Sequence, residues 1–159
     1  MTGDLLSRVA SMPFFAALGP EQLRQLCAAG RPVSYQPGER IFAEGGVADR
    51  FWLIEAGSAA LDLRVPGRGD QIIETLAAGS VLGWSWLYPP YLWQFGAVAR
   101  QQLDTIAFEG AAVRDRCDAD PVFGYAILRL FTPVIAERLH ATRLRLLDLY
   151  ATPAQAGQS

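Results

Sequence analysis

The sequence has 159 residues, 51% hydrophobic and 19% charged, so it can bury one substantial core but is too short for two ordinary domains. Its formal net charge of -2 gives no general attraction to phosphate backbones, and direct DNA binding is therefore not expected. No stretch approaches the roughly 20 apolar residues of a membrane span, and the N-terminus lacks the apolar core of a signal peptide. We therefore expect one cytoplasmic domain without a membrane segment.

Residues that ligate metals or act in catalysis are few and scattered. Cys27 and Cys117 lie far apart, neither belongs to a CxxC or Cys/His group, and His140 is the single histidine. One histidine supplies neither the clustered ligands of a metal-dependent β-roll enzyme nor a Ser/His/Asp or Cys/His set. We expect no enzyme activity and no metal, and we interpret the cysteines as small buried hydrophobic residues.

The first 29 residues have the spacing of helices rather than strands. Their apolar residues recur at intervals of three and four, and Gly19-Pro20 separates two such groups. This pattern predicts two short N-terminal helices.

From residue 31 to residue 109 the apolar period changes to two, most clearly in Leu61-Asp62-Leu63-Arg64-Val65. Turn residues such as Pro37-Gly38 and Gly45-Gly46 recur at short intervals, which is typical of a roll, sandwich or barrel. The predicted strands are Pro32–Tyr35, Arg40–Phe42, Phe51–Glu55, Ser58–Val65, Gln71–Leu76, Ser80–Leu82, Phe95–Arg100 and Asp104–Phe108.

Helical spacing returns after Asp120-Pro121 and continues to about Tyr150, although Pro133 should kink or interrupt this helix. One seam follows the alternating steps of four and three that are typical of paired helices. It predicts a homodimer interface, and the alternative is a helix that packs only on its own domain. The seam consists of Leu128, Thr132, Ile135, Leu139, Thr142, Leu146 and Leu149.

Together these patterns predict an α+β fold, an eight-stranded antiparallel β-roll of jelly-roll type with N-terminal helices and a long C-terminal dimerisation helix. The predicted domain covers residues 1–150, with helices in 1–29, the roll in 30–110 and helices in 111–150. We expect the small, polar residues 151–159 to form a disordered tail.

Several motifs in this order resemble the cyclic-nucleotide-binding domain of the catabolite-activator/Fnr type of bacterial regulator. The resemblance spans roughly residues 12 to 150, and it is the ordered set with family-like spacing that is specific. The motifs are Phe14-Phe15, Tyr35-x-Pro37-Gly38-Glu39-x-Ile41-Phe42-x-Glu44-Gly45, Phe51-Trp52-Leu53-Ile54-x-x-Gly57 and Ile73-x-x-Leu76-x-x-Gly79-x-Val81-Leu82-Gly83.

The resemblance implies a nucleotide pocket after Gly83, but this chain departs from the pattern there. In the family a glutamate after this glycine holds the ribose hydroxyl, amides of a short helix meet the cyclic phosphate, and a later arginine neutralises it. Here the segment from Trp84 to Phe95 holds neither acidic nor basic residues. Since charge-assisted hydrogen bonds contribute about 1.5–3 kcal/mol each, losing two removes roughly two to four orders of magnitude in affinity.

Residues 84–95 instead contain six aromatic side chains, including three of the four tryptophans. They would either bind a planar ligand or a protein partner, or fill the pocket as ordinary core. In the family's long helix a threonine at the position of Thr142 reaches the nucleotide base. The candidate ligand-binding residues are therefore Gly83, Trp84, Ser85, Trp86, Trp93, Gln94 and Thr142.

We therefore expect a non-catalytic regulatory or sensor module that does not bind cyclic AMP or cyclic GMP tightly, with no certain cofactor. The family's transcription factors continue into a helix-turn-helix domain, and only the short tail follows the long helix here. The alternative is a ligand-free subunit that binds a protein partner through the aromatic segment and the long helix.

Overall fold

The computed structural model describes residues 2–151, and it contains four α-helices and eight strands. The helices are α1 (Thr2–Ala10), α2 (Pro20–Cys27), α3 (Gly110–Ala119) and α4 (Pro121–Ala151), with a 3-10 turn at Pro13–Phe15. The strands are β1 (Gly30–Tyr35), β2 (Arg40–Phe42), β3 (Arg50–Ala56), β4 (Ser58–Val65), β5 (Gly69–Ala77), β6 (Val81–Leu82), β7 (Gly96–Ala99) and β8 (Leu103–Glu109). Each of the eight predicted strands is present, with ends within two residues of those expected.

The strands form two antiparallel four-stranded sheets, ordered β1-β8-β3-β6 and β2-β7-β4-β5, which confirms the predicted α+β fold. In β3 four consecutive residues, Phe51 to Ile54, are buried. Such a run means that both faces of the strand are covered. Phe51 lies opposite Phe108 of β8, and both rings belong to the core.

The turn between β3 and β4 requires a glycine. Gly57 has a φ of 89°, and a Cβ atom there would lie 2.2 Å from the carbonyl oxygen of Gln102. Only a residue without a side chain fits this left-handed turn beside another backbone segment.

Helix α4 buries one stripe of side chains and leaves the rest of its surface open. The buried residues recur mostly at steps of three and four, as expected for a helix packed along one face. They are Phe123, Gly124, Ile127, Phe131, Val134, Arg138 and Leu149.

Pro133 does not interrupt α4, contrary to the interruption that we considered from the sequence. A proline inside a helix costs about 3 kcal/mol, because it removes one backbone hydrogen bond and crowds the preceding turn. Pro133 itself is exposed, whereas Phe131 and Val134 on either side of it are buried. Their packing holds the helix together across the proline.

Phe131 joins α4 to three other parts of the molecule. Its ring centroid lies 5.0 Å from that of Phe51 on β3, 5.2 Å from Trp86 and 5.7 Å from Phe14 of the 3-10 turn. All three contacts are edge-to-face, one of the geometries that aromatic rings prefer. We call these four residues the aromatic core cluster.

The two cysteines differ in burial. Cys27 is buried at the end of α2, as predicted. Cys117 on α3 is only half-buried, so the expectation of a buried residue is wrong there. In α3 the buried residues are Gly110 and Val113, so most of this helix lies at the surface.

Among residues 2–151, no helix combines the length and apolar character needed to cross a membrane. Of the predicted disordered tail at 151–159, Ala151 is the last residue of α4, and the remainder lies outside the described residues.

Truncation of Phe131 is expected to destabilise the whole domain. Phe131→Ala removes a fully buried ring, so the free energy of unfolding should fall by about 3–5 kcal/mol in urea denaturation. Tyr150→Ala is the control on the same helix, because Tyr150 is 80% exposed and its loss should change stability by less than about 0.5 kcal/mol. Equal effects of the two substitutions would contradict the assignment of Phe131 to the core.

Candidate functional site

The segment between β6 and β7, residues 83–95, carries most of the predicted ligand-binding residues, and we call it the cassette. It begins at Gly83, whose φ is 96°. A Cβ atom at Gly83 would lie 3.0 Å from the six-membered ring of Trp93. The glycine therefore permits both the turn and the close approach of the Trp93 indole.

Trp93 belongs to a stack of three rings. It lies nearly parallel to Phe42 of β2 at a centroid distance of 3.9 Å, and Phe42 stacks on Trp52 of β3 at 5.4 Å. The indole nitrogen of Trp52 donates a hydrogen bond to the Tyr35 hydroxyl at 3.0 Å, and burial raises the pKa of Tyr35. Only 5% of Trp93 is exposed, so its indole is part of the core.

The cavity left at the cassette is small. Its volume is about 10 Å³, which is room for roughly one water molecule. It is lined by Phe42, Leu61, Gly83, Trp84, Ser85, Trp93, Gln94, Phe95 and Arg138.

The cassette itself brings no charged side chain to this cavity. Trp84 is half-buried, and Gln94 is exposed, with its amide nitrogen donating to the carbonyl of Leu92 at 3.2 Å. The backbone directly after Gly83 forms a turn, in which the Leu87 amide donates to the Trp84 carbonyl at 3.1 Å, rather than a helix. An anion at this turn therefore gains no attraction from a helix dipole.

The cation in the cavity lining comes from α4. Arg138 is 5% exposed and its Nη1 donates to Oε2 of Glu74 on β5 at 2.8 Å. Sequence reasoning missed Arg138 as a pocket residue. A signal was present, because Arg138 continues the apolar stripe of Ile127, Phe131 and Val134 at helical spacing, and arginine is rarely buried unless it is paired.

The structure brings five of the seven candidate ligand-binding residues together at this cavity, namely Gly83, Trp84, Ser85, Trp93 and Gln94. Trp86 lies elsewhere, in the aromatic core cluster, where its ring also stacks on Phe51 at 4.7 Å. Thr142 does not line the cavity either, and its hydroxyl donates to the Arg138 carbonyl one turn earlier at 2.6 Å. The roles of these residues toward a ligand stay predictions.

The residues of the predicted dimer seam differ in exposure within the single chain. Leu128 is 40% exposed and Leu139 is 66% exposed, whereas Leu149 is buried against its own chain. Among the remaining seam residues Thr132 is exposed. The other three are half-buried, namely Ile135, Thr142 and Leu146.

Loss of the carboxylate should destabilise the protein more than loss of the guanidinium in the Arg138–Glu74 pair. Glu74→Gln leaves a buried guanidinium without its carboxylate and should lower the free energy of unfolding by about 3 kcal/mol. Arg138→Met should cost less, because the Glu74 side chain is 30% exposed and can be hydrated.

Urea denaturation measures both changes, and Glu137→Gln is the matched control. Glu137 lies 3.9 Å from the same guanidinium but its side chain is 72% exposed, so its loss should cost less than about 1 kcal/mol. A Glu74→Gln effect no larger than that of Glu137→Gln would contradict the asymmetry.

Comparison with known proteins agrees with the fold. A family model described as "Cyclic nucleotide-binding domain" matches residues 32–120, more than half of the chain. The CRP-like cAMP-activated global transcriptional regulator of Mycobacterium tuberculosis is 24% identical over 149 residues, covering 94% of this chain and 63% of the relative. The chain thus spans less than two thirds of the length of this curated relative.

Solved structures show the same fold. A putative cyclic nucleotide-binding protein from Geobacter metallireducens has a TM-score of 0.76 and 25% identity, with 84% of this chain and 97% of that chain covered. A cyclic nucleotide-binding domain from Methylobacillus flagellatus has a TM-score of 0.75 and 20% identity, with 92% and 83% covered. The match of the family model, supported by these folds, establishes that this chain belongs to the cyclic nucleotide-binding domain family.

Proposed function

We propose that this chain is a non-catalytic regulatory domain whose cassette pocket does not bind cyclic AMP or cyclic GMP tightly. The observation that carries the proposal is the Trp93 indole, stacked on Phe42 and held against Gly83. With about 10 Å³ left at the cassette, a cyclic nucleotide could enter only if this side chain moved out of the core.

The charges of the pocket support the same proposal. Trp84 and Gln94 lie in the lining without a formal charge, and the Arg138 guanidinium is paired with Glu74. A cyclic phosphate would have to compete with that carboxylate for the guanidinium, and breaking such a buried pair costs several kcal/mol. The proposed domain therefore neither accommodates nor neutralises the nucleotide.

We assign the chain no reaction and no direct contact with DNA. The single histidine, His140, lies exposed on α4 and outside the cassette lining. The net charge of -2 gives no general attraction to a phosphate backbone.

The proposed domain forms a homodimer through α4. Leu128 and Leu139 lie on the predicted seam and are exposed in the single chain. Covering such side chains with a second helix would remove apolar surface from water, which is the main source of favourable energy in helix pairing.

A second candidate function is a protein-interaction subunit that uses the outer side of the cassette. Val47 and Leu92 form an isolated β-bridge and are 71% and 38% exposed. Large apolar side chains gathered on a surface are typical of sites that bind other proteins.

Thermal unfolding with cyclic nucleotides tests the closed pocket. A ligand present at about 1 mM, 100 times its Kd, would raise the free energy of unfolding by about 2.7 kcal/mol and the Tm by several degrees. We expect no shift with cyclic AMP or cyclic GMP, and AMP at the same concentration controls for nonspecific effects. A saturable shift with either cyclic nucleotide, absent with AMP, would refute the proposal.

The proposed dimer is tested by the molecular mass of two matched variants in analytical ultracentrifugation. Leu139→Asp places a charge in the predicted seam and should convert the dimer to a monomer. Leu144→Asp is the control, because Leu144 is 55% exposed but lies off the seam. A monomeric wild type, or dissociation by Leu144→Asp alone, would show that this seam is not the interface.

A further inference from the structure

A second, larger cavity lies between the cassette, α3 and the first turns of α4. Its volume is about 400 Å³, which is within the usual range for small-molecule sites. It shares no lining residue with the smaller cavity inside the cassette. The lining residues that matter here are Leu87, Tyr88, Tyr91, Arg114 and Tyr125.

The apolar part of this cavity is open to solvent. Tyr88 is 43% exposed and Tyr125 is 62% exposed. Tyrosine offers a large flat contact area together with a polar hydroxyl, and such rings are enriched where proteins bind ligands and partners. The walls therefore suit a planar, apolar body.

The polar part of the cavity is centred on Arg114 of α3. Its guanidinium lies over the Tyr91 ring, 4.2 Å from the centroid, and its Nη1 donates to the Trp86 carbonyl. These two contacts hold the half-buried guanidinium in place. Within residues 2–151 Arg114 has no carboxylate at ion-pair distance, unlike Arg138, which is paired with Glu74.

Two further residues complete the lining near Arg114. Burial raises the pKa of the Cys117 thiol to about 11, so this side chain is a neutral thiol at pH 7. Asp118 is exposed, and its negative charge adds to the effect of burial in raising the pKa of Cys117. Arg114 is therefore the group in the lining that would recognise an opposite charge.

We propose that this cavity binds a small organic carboxylate with an aromatic body, the carboxylate on Arg114 and the ring between the tyrosines. A planar guanidinium with free N–H groups donates to both oxygens of a carboxylate in a two-point contact, which fixes the ligand's orientation. This cavity shares no lining residue with the small cavity beside Gly83 and Trp93, so the proposal does not depend on whether a cyclic nucleotide binds in that small cavity.

The experiment is isothermal titration calorimetry of the full chain with 3-phenylpropionate and with its neutral analogue 3-phenylpropionamide. The two probes share the ring and linker and differ in charge. Since only the carboxylate forms charge-assisted hydrogen bonds with the guanidinium, it should bind at least about tenfold more tightly than the amide.

Three variants assign the effect to this cavity. Arg114→Gln should abolish the preference for the carboxylate, and Tyr88→Ala should weaken binding of both probes. Arg116→Gln is the matched control, because Arg116 is an exposed arginine of the same helix outside the cavity lining. It should bind both probes as the wild type does.

Arg114→Lys distinguishes loss of the charge from a folding defect, which is needed because Arg114 also contacts the Trp86 carbonyl. This variant keeps the positive charge, so it should retain part of the preference for the carboxylate over the amide. Thermal unfolding shows which variants are folded. Equal binding of the two probes by the wild type would overturn the proposal. An unchanged preference in folded Arg114→Gln would overturn it as well.

Discussion

The packing of Phe131 against Phe51 and Trp86 is the contact on which the arrangement of this domain depends. It joins the long C-terminal helix to the roll and to the cassette through one buried ring. Phe14 adds the N-terminal segment to the same cluster. Because interiors are close-packed, a shift of any one of these elements must be accommodated by the others.

The structure of the cassette follows from this arrangement together with its many aromatic and absent charged residues. Trp86 anchors the segment in the core, while Trp93 folds back over Gly83 and stacks on Phe42. The left-handed turn at Gly83 is present, and the Trp93 indole packs directly against it. Aromatic burial takes the place of the charge-assisted contacts that the family resemblance implies.

Two arginines near the cassette differ in their partners. Arg138 is buried and paired with Glu74, which neutralises it within the protein and ties α4 to β5. Arg114 is half-buried and is held by a ring and a backbone carbonyl, neither of which neutralises a full charge. Removing the partner of a buried charge is costly, which keeps Arg138 on Glu74, whereas Arg114 retains its positive charge for the anion proposed above.

The amino-acid sequence by itself determined the order and type of the elements, because alternating strands, turn glycines and helical spacing are local patterns. It also located the cassette and the absence of charge in it. Only the tertiary structure decided that Trp86 and Trp93, seven residues apart in one aromatic segment, belong to different clusters. It likewise brought Arg138 and Glu74 together from distant parts of the chain. Such contacts depend on how separate elements pack, which no local pattern specifies.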